Sequence, residues 1–140
     1  MPDIDEAAQI SEQLERKARD AIAELHLEDA VGLLGAALKI RETYQGEAHP
    51  DLIWTLSLWI DALRRKHRLE SALEAARLGE RRLALRRTAL VGAPDELAHS
   101  LRELICLYTF EDDVLETGRV EELRRELAAL AEAGGSGREA

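Results

Sequence analysis

The chain has 140 residues, 46% of them apolar but only 4% aromatic, and a net charge of −9. That length suits one domain with a core of its own, and a core drawn from Leu, Ala, Ile and Val excludes an all-β fold and favours helix. No run approaches the roughly 18 to 20 apolar residues that span a bilayer, and the acidic start MPDIDEAAQISEQLE lacks the basic end and apolar stretch of a signal peptide. The single cysteine, Cys106, has no internal disulfide partner, so the expectation is a reducing cytoplasmic setting with no membrane partner.

Residues 1–4 read as a frayed start. The first helix is expected over 5–25, with Ile10, Leu14, Ala18, Ala21, Ile22 and Leu25 recurring at steps of three and four. His26-Leu27 marks a turn, and a second helix follows over 28–45 with Ala30, Leu33, Leu34, Ala37, Leu38 and Ile40 toward the core. Gly32 and Gly35 cost that helix roughly 1 kcal/mol each against Ala; their small size suits the close approach of another helix. Gly46 to Pro50 is a break and restart, Gly past one helix end and Pro at the start of the next. The third helix, 51–66, puts Leu52, Leu56, Trp59, Ile60 and Leu63 on one stripe and Trp54, Leu58 and Asp61 on another side, as a helix with two covered faces would. After His67-Arg68 a fourth helix runs over 69–90. Val91-Gly92-Ala93-Pro94 repeats the restart, and a fifth helix is expected over 95–110 with Leu97, Leu101, Leu104, Ile105 and Tyr108 inward. Glu111-Asp112-Asp113 either extends it or begins a loop. Gly118 punctuates, and a short sixth helix over 120–133 leaves Leu123, Leu127 and Leu130 to be covered. The domain is thus 1–133, and GGSGREA, 134–140, is a flexible tail.

Charge is uneven. Between Arg64 and Arg87 nine Lys or Arg face only Glu70, Glu74 and Glu80. Such a basic middle between acidic ends either steers an acidic partner or is a solvated helix face with Glu–Arg pairs.

Leu27-Glu28-Asp29-Ala30 returns 42 residues later as Leu69-Glu70-Ser71-Ala72, with a third version at Val120-Glu121-Glu122-Leu123; Pro50-Asp51 returns after 44 residues as Pro94-Asp95. Three helix pairs at this period are the pattern of an α-solenoid, in which each pair buries its face by stacking on the next. The segment ALKIRETYQGEAHPD, residues 37–51, resembles the tetratricopeptide repeats of the kinesin light chain type, and the resemblance extends over roughly residues 10–130. It implies an all-α fold, a right-handed superhelix of three antiparallel helix pairs. The chain departs from the pattern where the turn Gly between paired helices is replaced by Leu25 and His67, and where about six extra residues separate Tyr108 from Gly118.

The resemblance also implies a concave groove lined by the first helix of each pair, where partner peptides or helices bind. Carried over by position, that groove shows Glu12, Glu15, Arg16 and Arg19 in the first repeat. In the second it shows Trp54, Ser57, Leu58, Asp61, Arg64 and Arg65, and in the third His99, Arg102, Glu103, Cys106 and Phe110. The partner-binding set is therefore Trp54, Leu58, Asp61, Arg64, Arg65, His99, Arg102 and Phe110. Trp54 lies about 140° around the helix from the core Trp59, free to anchor a partner; the competing reading packs it on the neighbouring repeat. Arg64 and Arg65 offer planar forks to carboxylates, or simply a solvated helix end. Phe110 is a ligand contact or a core anchor, and Cys106 reads as a buried, inert thiol.

No reaction chemistry emerges. Histidines 26, 49, 67 and 99 are scattered without metal-ligand spacing, His99 and Cys106 lack an orienting third group, and no phosphate loop follows a strand. The expectation is no enzyme, no cofactor and no metal. The leading function is an adaptor or scaffold that binds a peptide or helix, acidic if the basic segment is free; the alternative is an inhibitor or immunity-type regulator blocking one partner. A homodimer through the terminal helices is a third reading. The chain's acidity and its scarcity of stacking aromatics argue against nucleic acid.

Overall fold

The structure, a computed structural model, describes residues 3–90 and 93–139, with side chains up to residue 133. Six helices follow one another: α1 Ile4–Ala23, α2 Leu27–Gln45, α3 Leu52–Arg65, α4 Leu69–Ala89, α5 Pro94–Leu107 and α6 Thr117–Glu139. Each packs on the next in sequence, and α1 also touches α3. The tail expected over 134–140 lies outside the residues whose side chains are described, as do Val91 and Gly92 of the second restart.

Local chemistry sets the helix ends. Asp3 caps α1, its carboxylate accepting from the Glu6 N–H at 2.7 Å and satisfying a donor the first turn leaves orphaned. The helix therefore starts at Ile4, one residue before the expected Asp5. At the other end Leu25 takes φ 62°, and His67 takes φ 51° after α3. Both are the positions where the repeat pattern would place Gly, and both adopt the left-handed conformation that Gly there would supply. Gly46, φ 90°, closes α2, and Pro94 opens α5 at its first turn.

Two expectations are corrected between α5 and α6. The fifth helix stops at Leu107 rather than reaching 110, and the chain forms a small antiparallel hairpin, β1 Thr109–Phe110 with β2 Asp113–Val114. Glu111, at φ 56°, makes the turn, which neither a helix extension nor an open loop describes. The hairpin accounts for most of the residues that separate Tyr108 from Gly118. The sixth helix begins at Thr117, so Gly118 lies inside its first turn instead of ending a loop.

Contacts between the pairs sort the helices into two layers. In one, α1 meets α3 where Ala18 and Ile22 join Leu58 and Ala62 in one buried cluster, and Ile60 and Leu63 of α3 share another with Leu101 and Leu104 of α5. In the other, Arg81 of α4 reaches Glu42 of α2 at 3.4 Å, and Arg87 of α4 reaches Glu126 of α6 at 2.6 Å. Between the layers, Leu63, Leu101, Leu104 and Leu123 are essentially dry, and Trp59 packs against all three core clusters. Leu123, Leu127 and Leu130 of α6 lie on this core, so no leucine stripe there is left uncovered among residues 117–133.

The core differs from expectation at several positions. Ile10 and Leu25 are exposed, and the α1 residues that turn inward are Ala7, Ser11, Glu15, Ala18 and Ile22. Close helix approach occurs at Gly79 of α4, where a Cβ would stand 2.5 Å from Leu107 Cδ1. At Gly32 a Cβ meets nothing within 4 Å, and at Gly35 it meets the Trp59 ring at 3.7 Å, ordinary contact.

Candidate partner-binding surface

On α3 the residues Trp54, Leu58, Asp61 and Arg65 fall at spacings of four, three and four, one stripe of a helix. Trp54 is half exposed, and the Arg19 guanidinium of α1 sits 5.8 Å from its ring centroid, a cation–π distance worth about 0.5–1 kcal/mol at an exposed site. Arg65 Nε donates to Asp61 Oδ1 at 3.2 Å. These three side chains form a broken ridge, with Trp54 at one end and the half-exposed Asp61–Arg65 pair about two turns further on. Leu58 does not join it. At 9% exposure it is packed with Ala18, Ile22 and Leu34, because α1 lies against that flank of α3; it leaves the set of accessible residues.

Glu15, given a groove position by the resemblance, is also buried, at 4%. Arg41 of α2 grips it with two bonds, Nε to Oε1 at 2.6 Å and Nη2 to Oε2 at 3.3 Å, and the Thr55 hydroxyl of α3 donates to Oε1 at 2.7 Å. One carboxylate thus fastens α1, α2 and α3. The signal lay within the segment 37–51, since Arg41 is its arginine, but nothing in one sequence says which carboxylate it meets.

On α5, His99, Arg102 and Cys106 are exposed. Exposure overturns the buried-thiol reading of Cys106: α5 turns that flank away from α4. Glu103 is the centre of a second polar cluster. Arg86 pairs closely with it, Arg82 Nη2 lies 3.3 Å away and His99 Nε2 3.1 Å, while Arg82 also donates to the Ser57 hydroxyl at 3.1 Å. Burial pushes the Glu103 carboxyl up, but Arg86, Arg82 and His99 outweigh it and hold it below its ordinary value. A third cluster ties α4, the end of α5 and α6: Arg119 donates to both oxygens of Glu80 at 2.7 Å, and the Tyr108 hydroxyl donates to Oε2 at 3.0 Å.

Six of the nine cations between Arg64 and Arg87 are therefore spent on carboxylates of the chain itself. Arg65 pairs with Asp61, Lys66 with Glu28, Arg81 with Glu42, Arg82 and Arg86 with Glu103, and Arg87 with Glu126. The basic segment is mainly a set of helix-to-helix ties. Arg64, Arg68 and Arg77 form no close ion pair among the described residues, although Arg68 acts on the Glu28 carboxylate at longer range.

Arg64 and Arg68 both line a cavity of about 250 Å³ at the α3–α4 turn. Its lining is mixed: Leu63, Ala72, Ala75, Leu107 and Phe110 are apolar, and Arg64, His67, Arg68, Thr109 and Glu111 are polar. Phe110 reaches this place from β1 rather than from α5, half buried and lining the cavity. The structure thus brings Trp54, Asp61 and Arg65 together on the ridge and Arg64 with Phe110 at the cavity. His99 and Arg102 stand apart on α5, with His99 lining a separate cavity of about 400 Å³ beside Ile53.

Among the described residues no three His, Cys, Asp or Glu side chains gather as a metal-holding group, and no helix is long and apolar enough to cross a membrane. No protein-family model matches the chain, and no curated protein matches it.

Proposed function

We propose that the chain is a tetratricopeptide-like, right-handed α-solenoid of three helix pairs that acts as a protein-binding adaptor. Its partner is a peptide or helix that lies along the layer of α1, α3 and α5. The observation that carries this reading is Trp54, half exposed on the α3 ridge and backed by Arg19. A large aromatic held in a fixed pose at low entropic cost is the type of side chain on which interfaces concentrate their energy. Asp61 and Arg65, already paired with each other on the same stripe, offer one acceptor and one cation to fix the partner's register. The sequence repeat and the turn conformations at Leu25 and His67 support the repeat-family assignment.

The test is affinity capture from the native host's lysate with the wild-type chain beside a Trp54→Ala/Arg65→Glu variant, both exposed positions whose replacement leaves the core intact. A protein held by the wild type and weakened about thirtyfold or more in the variant supports the ridge, since an anchor residue contributes at least about 2 kcal/mol. Equal recovery by both sinks it. A single partner held very tightly in a one-to-one complex that loses its own activity would move the reading from adaptor to blocking regulator.

A further inference from the structure

The cavity at the α3–α4 turn is a second recognition point, distinct from the Trp54 ridge. The geometry points to an apolar side chain flanked by carboxylates, in an acidic segment of the partner protein, as its occupant; this rests on the protein-binding reading above.

Three observations converge on it. The first is what is left over from the ion-pair pattern. Six of nine neighbouring cations form ion pairs within the fold, yet among the described residues Arg64 and Arg68 form none, Arg68 acting on Glu28 only at longer range, and both line this one cavity. Exposed guanidiniums with no partner are free to take a carboxylate as a planar fork without first breaking a bond. The second is the interior. A partly open space of about 250 Å³, lined by Leu, Ala and Phe side chains as well as by the polar residues, suits one aliphatic or aromatic side chain and is too small for a folded element. The third is the rim. Leu69, next to Arg68, and Val114, paired across the hairpin with the cavity residue Thr109, are both exposed large apolar side chains, so apolar surface continues beyond the mouth.

Charge selects the flanking groups. Arg64, Arg68 and His67 surround the opening, and Glu111 is the only carboxylate lining it. Two guanidiniums therefore stand against one carboxylate, so the cavity favours an anion on the arginine side and repels one beside Glu111. A basic or neutral segment gains nothing from this arrangement. Glu111 sits at the turn of the hairpin with φ 56° and lines the cavity, so its charge opposes carboxylates on that side.

The probe is a synthetic peptide, acetyl-Gly-Glu-Leu-Glu-Gly-amide, titrated into the full-length chain and followed by backbone amide shifts and calorimetry. Shifts are expected at residues 63–68 and 107–111. Replacing both Glu of the peptide by Gln should weaken binding about tenfold, and Arg64→Glu/Arg68→Glu should weaken it at least as much, since two solvent-exposed charge pairs together contribute about that factor and the reversal adds repulsion. Glu111→Gln should tighten it about two- to threefold and steepen its salt dependence, whereas the arginine variant flattens it. That gain of binding is a result no merely damaged fold would give. Indifference to the arginine reversal, shifts elsewhere on the molecule, or sodium hexanoate binding as tightly as the peptide would each overturn the proposal, the last by giving the cavity to a free small acid. Trp54→Ala should leave peptide binding unchanged. A Trp54 effect on partner capture without peptide binding therefore removes the cavity alone, and peptide binding without a Trp54 effect on capture removes the ridge alone.

Discussion

Leu25 holds φ at 62° with 65% of its surface in water, so its side chain brings little packing to offset a left-handed backbone. The conformation costs a non-glycine residue roughly 1–2 kcal/mol, while Gly loses about 0.5–1 kcal/mol in extra unfolded-state freedom. Leu25→Gly should therefore stabilise the chain by up to about 1 kcal/mol, and His67→Gly, exposed at φ 51°, should do the same. Chemical denaturation of the two variants checks this; a midpoint below wild type for both would mean that the side chains hold the turns by contacts that outweigh the backbone cost. The tight turns were legible as breaks in hydrophobic period, but their handedness was not, because the usual marker, Gly, is absent from both. The same limit applies to Trp54 and Leu58. They lie on one helix stripe and differ only in what α1 covers, a fact of tertiary packing that helical spacing leaves open.

At the scale of the element, α2 and α4 both contain glycine for different physical reasons. Gly32 has open space where its Cβ would be, so Gly32→Ala should stabilise the protein by up to about 1 kcal/mol through helix propensity alone. At Gly79 a Cβ would stand 2.5 Å from Leu107 Cδ1 and 3.0 Å from Leu104 Cδ1, two leucines in the dry core. Gly79→Ala must push them apart, and the strain of about 1–3 kcal/mol outweighs the propensity gain. Thermal melts of the pair should therefore move in opposite directions. Helix existence and order were readable from period and from the Gly and Pro punctuation, since those depend on residues within a turn or two. The hairpin at 109–114 was not, because two-residue strands are too short to show alternation and are held by pairing with each other. Nor was the cavity, whose walls come from α3, α4, α5 and β1, distant in sequence.

Across the whole molecule, three carboxylates join the layers: Glu15 binds α1 to α2 and α3, Glu103 binds α5 to α4, and Glu80 binds α4 to the end of α5 and to α6. The Glu15 cluster is the most buried, and removing one member leaves an uncompensated charge in the interior. Arg41→Met alone should cost about 3–5 kcal/mol, whereas Arg41→Met with Glu15→Leu, which removes both charges, should recover most of it. A double-mutant cycle with strong coupling between the two sites tests this. The outer clusters respond to pH instead. Burial pushes Glu80 up, but hydrogen bonds from Arg119 and Tyr108 outweigh it and leave the carboxyl below 4.5 in the folded chain. A carboxylate lowered on folding stabilises above its unfolded value, and that contribution is lost as pH falls below 4.5 through the folded value. Burial and the neighbouring Glu80 raise Tyr108 from 10 to about 12. For that phenol the sign runs the other way: its contribution is intact below pH 10 and is lost as pH climbs from 10 to 12, where the unfolded chain releases the proton first. Glu80→Gln removes the acceptor charge, so it should lower the Tyr108 ionisation pH and shallow the acid loss together. Ultraviolet titration of tyrosinate against a Tyr108→Phe reference, with stability curves at both pH extremes, reads the two effects. A Tyr108 titration unmoved by Glu80→Gln would leave burial as its sole cause and detach α6 from the network that Glu80 organises.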